Sequence, residues 1–227
     1  MKLLRIVLLA ACGALAALGP AATTAAPATA AAATATAAPT ALSAAAAAPA
    51  RQLEGRALGD ALRRGGYVLY FRHASTDFGQ SDENMTSFED CKSQRNLTDK
   101  GREEARVIGA GIARQRIPVG DVLASPYCRT RETAQLIFGR ATVAPAVRGG
   151  PAQAEEQRYA GLVALLSDSV PPGTNRVIVS HGNPFRAVAG APYLAEGEAA
   201  VVAPRGDGRF EVVGRVARDG WGALADH

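Results

Sequence analysis

The chain has 227 residues, of which 48% are hydrophobic, and a formal charge of +4. Its first 50 residues carry two cations, Lys2 and Arg5, and no acid, so the other 177 hold 23 cations against 21 acids. A body so near neutral excludes a general nucleic-acid binder, whose basic stripe would dominate the count. Three Cys and three His, scattered along the chain, are too few for a zinc site built from them.

Residues 1–22 read as a signal peptide: Lys2 and Arg5 precede an apolar run from Ile6 to Leu18, too short to span a bilayer, and small residues follow. Leu9-Ala10-Ala11-Cys12 also has the look of a lipobox that would lipidate Cys12. Residues 23–52 are mostly Ala, Thr and Pro. Pro27, Pro39 and Pro49 interrupt any helix, and there is no apolar face to dock, so this stretch reads as a disordered linker. Residues 53–227 form the candidate domain.

Leu58, Ala61 and Leu62 share one side of a short helix over 56–65, which Gly65-Gly66 ends. Tyr67 to Phe71 is a continuous apolar run of strand length, as expected for a strand buried on both faces of a parallel sheet. Residues 74–96 are polar and without period, hence a loop. Thr98 caps a helix with Asp99, Glu103 and Glu104 in its first turns and Ala105, Ile108 and Ile112 facing inward. A strand over 121–124, a helix over 129–138, a strand over 142–147 and a helix over 152–167 follow, then a strand at 176–180. A closing hairpin spans 199–204 and 209–217, turning at Gly206-Asp207-Gly208. Alternating strands and helices predict an α/β fold, a three-layer α/β/α sandwich around a mostly parallel sheet, with its ligand crevice beyond the carboxyl ends of the strands.

Chemistry-bearing residues gather at that end. His73 follows the first strand and His181 follows the strand at 176–180; the third histidine, His227, is the last residue. Arg72 and Arg129 come to the same rim. Two guanidinium forks and two imidazoles at one rim suit a phosphate. Phe71-Arg72-His73-Ala74-Ser75-Thr76 resembles the R-H-G motif of the histidine phosphatase (phosphoglycerate mutase-like) superfamily. Leu97-Thr98-Asp99-Lys100-Gly101-Arg102-Glu103-Glu104-Ala105 resembles its L-T-x-x-G-x-x-Q-A helix start. Ser125-Pro126-Tyr127-Cys128-Arg129-Thr130-Arg131-Glu132-Thr133-Ala134 resembles its S-P-x-x-R-x-x-x-T-A segment, and Ser180-His181-Gly182 its second-histidine motif. The four stand in family order over residues 66–190. Ala74 replaces the usual Gly, and Glu104 the usual Gln.

The resemblance implies a phosphoglycerate mutase-like fold and a phosphomonoester hydrolase in which His73 is the nucleophile and becomes phosphohistidine. It implies that Arg72, Arg129 and a cationic His181 hold the phosphate oxygens, with Ser75 or Thr76 adding a hydroxyl. No cofactor and no metal are implied. For the proton to the leaving oxygen, Glu155 and Glu156 stand where many relatives carry the acid; Glu196 with Glu198, and Asp77 with Asp82, are further pairs. An exported chain leads us to expect a Cys91–Cys128 disulfide, the alternative being a reactive thiol beside a cationic site. The expected setting is the periplasm or cell envelope, with a possible lipid anchor at Cys12, no stable membrane span and no nucleic acid. The expected substrate is a phosphorylated small molecule or an envelope glycolipid, such as a lipopolysaccharide phosphate. A phosphoglycerate-type mutase and a non-catalytic phosphate-binding module are the competing readings.

Overall fold

A computed structural model describes residues 52–149 and 157–224. The segment read as a signal peptide, Cys12, nearly all of the stretch read as a linker, Glu155, Glu156 and His227 lie outside the described residues. Six strands form one sheet: β1 (Val68–Arg72), β2 (Val119–Ala124), β3 (Thr142–Val143), β4 (Asn175–Ser180), β5 (Ala199–Gly206) and β6 (Arg209–Val216), in the order β3-β2-β4-β1-β5-β6. The β2–β3, β2–β4 and β1–β4 pairs are parallel; β5 joins β1 antiparallel and the β5–β6 hairpin closes that edge. The helices are α1 (Gly55–Arg64), α2 (Asp99–Arg114), α3 (Cys128–Phe138), α4 (Ala160–Ser167) and α5 (Gly182–Ala189).

The unbroken apolar run of β1 is explained by its position. It pairs with β4 on one side and β5 on the other, and Val68, Leu69, Tyr70 and Phe71 are fully buried. Leu69, Phe71, Val177, Val179 and Val201 face a core shared with α1, α2, α3 and Trp221. Val68, Tyr70, Ile178, Ala200 and Val202 face a second core with α4, α5 and Val147. Helices thus cover both faces, the three layers expected of a largely parallel sheet.

The local signals act as read. The Thr98 hydroxyl accepts from the Gly101 N–H at 2.9 Å and caps α2. Gly139 ends α3 in the left-handed conformation, its N–H donating to Gln135 O. Three successive positive φ angles at Gly206, Asp207 and Gly208 turn the β5–β6 hairpin.

Three elements differ from expectation. The strand expected over 142–147 pairs only at 142–143. Pro145 has no N–H for a ladder, and the chain coils into a 3-10 turn (Pro145–Arg148) that buries Val147 under β4. The helix expected over 152–167 is described from Ala160, with Leu162 and Leu166 buried as its pattern required. Helix α5 was not read from sequence, because Gly182 and Pro184 look like breakers. Pro184 stands in the first turn, where its missing N–H costs nothing.

Candidate active site

The carboxyl ends of β1 and β4 lie side by side, with Arg72 opposite Ser180. The chain leaves both strands there, and backbone bonds fix the two histidines. His73 N–H donates to Ser180 O at 3.0 Å, and Gly197 N–H donates to His73 O at 3.0 Å. The Tyr70 hydroxyl donates to His181 O at 2.8 Å, from beneath.

Several motif residues act as fasteners for this rim. A Cβ on Gly101 would collide with the Ser75 carbonyl oxygen, so only glycine lets α2 approach the loop after His73. The Thr133 hydroxyl accepts from Ala74 N–H at 3.1 Å and donates to Arg129 O at 2.7 Å, tying that loop to α3. The Thr130 hydroxyl donates to Ser125 O at 2.7 Å and so tightens the turn into α3. Ser125 Oγ in turn meets His181 Nε2 at 2.9 Å. A Cβ on Gly182 would strike the Tyr193 ring, which closes one side of the site. Glu104, where the motif usually has Gln, accepts the Ser75 hydroxyl at 2.6 Å and stands 3.4 Å from Arg218.

Arg72, His73, Arg129 and His181 line one cavity of about 320 Å³. His73 is buried, and its ring stands 5.5 Å from that of His181. His73 Nδ1 lies 2.9 Å from Ala74 O. A carbonyl can only accept, so Nδ1 carries the proton and the lone pair is on Nε2. Burial, opposed by the bond to Ala74 O and reinforced by the Arg129, Arg72 and Arg95 guanidinium groups, lowers the His73 pKa to about 3. The ring is therefore neutral at physiological pH. His181 is not the cation expected from sequence. Burial first, then His73, Arg129, Arg148 and Arg95, push its pKa well below the usual 6.5.

Arg129, almost fully buried, stacks on Tyr127 at 4.3 Å and gives two parallel hydrogen bonds to Asp82, both 3.0 Å. Burial raises the Asp82 pKa, but the bonds from Arg129 and from Arg95 N–H outweigh it and leave the carboxyl below its ordinary value. Arg72 donates to Leu194 O at 2.9 Å and reaches Glu196 at 3.4 Å. Glu196 also accepts the Thr76 hydroxyl at 2.7 Å and lies 3.9 Å from His73 Nδ1, behind the ring and away from Nε2. The Nε atoms of Arg72, Arg95 and Arg129 are buried with no hydrogen-bond partner among the described residues.

Ser75 and Thr76 stand outside the cavity lining, because Glu104 and Glu196 take their hydroxyls. Glu198 is likewise turned away, bonded to Ala195 N–H and Arg215, and Asp77 accepts from Gly79 N–H in its own turn. Glu155 and Glu156 lie outside the described residues. Sequence reasoning missed Arg95 and Arg148 as cavity residues. Arg148 could have been found from its place just beyond the third parallel strand; Arg95, in an aperiodic loop, gave no such signal. Cys91 and Cys128 form a disulfide, with Cα atoms 5.7 Å apart, that ties the 74–96 loop to the start of α3.

The histidine phosphatase superfamily (branch 1) model matches residues 68–150. These 83 of the 227 residues are similar to that superfamily, and the match supports a phosphatase. The matched segment holds Arg72, His73 and Arg129; His181 lies beyond it. No curated protein matches the chain. Among solved structures, the protein histidine phosphatase SixA complexed with tungstate is 20% identical, with 67% of this chain and 97% of that one covered and a TM-score of 0.48. A mycobacterial glucosyl-3-phosphoglycerate phosphatase with inorganic phosphate is 16% identical, with 61% and 89% covered and a TM-score of 0.42. A phosphoserine phosphatase mutant from Entamoeba histolytica in complex with phosphoserine is 14% identical, with 67% and 97% covered and a TM-score of 0.48.

Proposed function

We propose that this chain is a metal-independent phosphomonoester hydrolase that acts through a phosphohistidine on His73. The observation that carries the reading is the His73 ring: buried and neutral, with Nδ1 committed to Ala74 O and Nε2 left as the nucleophile among Arg72, Arg129 and His181. The Nε2 lone pair attacks phosphorus as the ester P–O bond breaks, and the leaving oxygen takes a proton. Water then cleaves the P–N bond, giving its proton to the carboxylate that donated the first one, and releases inorganic phosphate. The guanidinium groups supply the positive charge that the phosphoryl oxygens need.

Among the described residues, Asp82 is the acid that lines the cavity, and we assign it the proton. While it pairs with Arg129 it is ionised. A phosphate that draws Arg129 to itself loosens that pair and raises the Asp82 pKa, which makes the carboxyl a donor when one is needed. Asp82→Asn should slow hydrolysis of an alkyl phosphate far more than that of p-nitrophenyl phosphate, whose leaving group needs no proton. The same selective loss in Glu155→Gln or Glu156→Gln instead would move the acid there.

The substrate in this reading is a phosphorylated small molecule or an envelope glycolipid such as a lipopolysaccharide sugar phosphate. We place the protein outside the cytoplasm, exported by residues 1–22. The Cys91–Cys128 bridge supports an oxidising compartment. No helix among the described residues is long and apolar enough to cross a membrane. Purified protein should hydrolyse p-nitrophenyl phosphate and keep its rate in a chelator. No turnover at any pH from about 4 to 8 would favour a phosphate-binding module, and loss of activity restored by a divalent ion would overturn the metal-free mechanism.

A further inference from the structure

Two hollows lie near the start of α3, and they differ in how their charges are partnered. The larger, about 870 Å³, is lined by the disulfide, Arg102 and Glu132; Arg102 is satisfied by Glu132 at 2.6 Å and Asp99 at 3.0 Å. The smaller is the His73 cavity, whose lining among the described residues holds Arg72, Arg95, Arg129, Arg148 and Arg158 and one acid, Asp82. Arg129 is paired with Asp82 and Arg72 with Glu196, and these two serve the phosphate to be cleaved. Arg158 has interactions of its own, one of them over the Tyr159 ring at 5.7 Å, which leaves Arg95 and Arg148. Both are half-buried, and neither has a carboxylate within 4 Å among the described residues.

We propose that Arg95 and Arg148 form a second anion subsite, so that the preferred substrate carries a second phosphate or a carboxylate beside the ester that is cleaved. The proposal rests on the phosphatase reading of the same cavity. Both guanidinium groups are held on aromatic rings: Arg95 over Phe78 at 4.8 Å, Arg148 over Phe88 at 5.3 Å and Tyr127 at 5.6 Å. Stacking engages the plane of a guanidinium and leaves its in-plane N–H edge for an acceptor. Arg148 gives one Nη1 bond, to Gly149 O at 3.2 Å, and Arg95 Nε is buried without a partner. Two half-desolvated cations with spare donors and no carboxylate within 4 Å among the described residues raise the potential of the cavity, and that cost is recovered when an anion enters. The depressed His181 pKa, to which Arg148 and Arg95 both contribute, is consistent with such a potential. The carboxylates of loop 74–96, Asp82 apart, do not line the cavity.

The test compares kcat/KM within two substrate pairs at fixed ionic strength: fructose 6-phosphate against fructose 1,6-bisphosphate, and ethyl phosphate against 2-phosphoglycolate. The doubly anionic member should be preferred at least tenfold in one pair or both, and the pair that shows it names the second group as phosphate or carboxylate. Arg148→Met and Arg95→Met should each reduce that preference at least fivefold, while Arg209→Met, on the exposed hairpin, leaves it intact. No preference in either pair, or a preference lowered equally by Arg209→Met, overturns the subsite. Should the wild type hydrolyse none of the four, the phosphatase reading fails. Calorimetry with fructose 1,6-bisphosphate and fructose 6-phosphate then decides the subsite alone. Tighter binding of the bisphosphate, lost in Arg148→Met, sustains it, and equal binding refutes it.

Discussion

Strand β4 is polar at both ends, and the two ends differ in how their polar atoms are partnered. At the amino end, buried Asn175 accepts from Tyr67 N–H at 3.2 Å and donates to Leu62 O at 2.8 Å and Pro118 O at 2.9 Å. Every hydrogen of that amide is spent on joining α1, β1 and the start of β2. Just past the carboxyl end, His181 faces a cavity in which three buried guanidinium Nε atoms have no partner among the described residues. A satisfied buried polar group is a fastener; buried cations with donors to spare mark a place for an anion. The same strand thus holds the fold at one end and presents the chemistry at the other.

The sharpest way to break that contrast is at the nucleophile. His73→Ala should lower p-nitrophenyl phosphate turnover by roughly a thousandfold or more, while a cooperative thermal unfolding transition and a parent-like circular dichroism spectrum show that the fold is kept. Retained turnover would refute the assignment. Arg129→Ala should come next. One preorganised donor carries about 3–4 kcal/mol of barrier, so the rate should fall on the order of a hundredfold or more; the loss should show in kcat as well as in KM. Asn175→Ala should do the opposite. It leaves Tyr67 N–H unpaired and takes one of two donors from each of Leu62 O and Pro118 O, at a cost of about 1–3 kcal/mol in urea unfolding, while kcat/KM per folded molecule stays within about twofold. A large fall in kcat/KM with unchanged stability would erase the distinction between the two ends.

The smallest effect is on stability against pH. His73 has a folded pKa of about 3 against an ordinary 6.5. Between those values the unfolded chain binds a proton that the folded one refuses, so stability is full above pH 6.5 and falls as pH drops. By pH 5.5 this one imidazole should cost about 1.4 kcal/mol, readable as a urea midpoint lower than at pH 7.5. Part of that shift should vanish in His73→Ala. A midpoint independent of pH over this range would mean that the ring is solvated.

Most of the sheet and the four motif blocks are legible in the sequence, because each depends on neighbours in the chain. The apolar run of β1 announces a central strand, Thr98 caps its own helix, and Gly101 and Thr133 serve contacts that their motifs already imply. What is hidden depends on residues far apart. That Glu196 sits behind His73 while Asp82 sits on Arg129 follows from loop paths that no periodicity encodes. Ser75 and Thr76 follow His73 directly, yet their hydroxyls go to Glu104, 29 residues away, and Glu196, 120 residues away. Arg95 and Arg148 become cavity residues only because Phe78, Phe88 and Tyr127 are there to carry them. The neutral state of His181 is likewise a property of its distant neighbours and not of its motif.

Rapid quenching during turnover of a ³²P-labelled ester tests the central claim most directly. The label should be found on the His73 imidazole, in a linkage that acid destroys and alkali spares, and should be absent from His73→Ala. Label on a serine, cysteine or aspartate, or steady turnover with no labelled enzyme at any quench time, would contradict a phosphohistidine pathway.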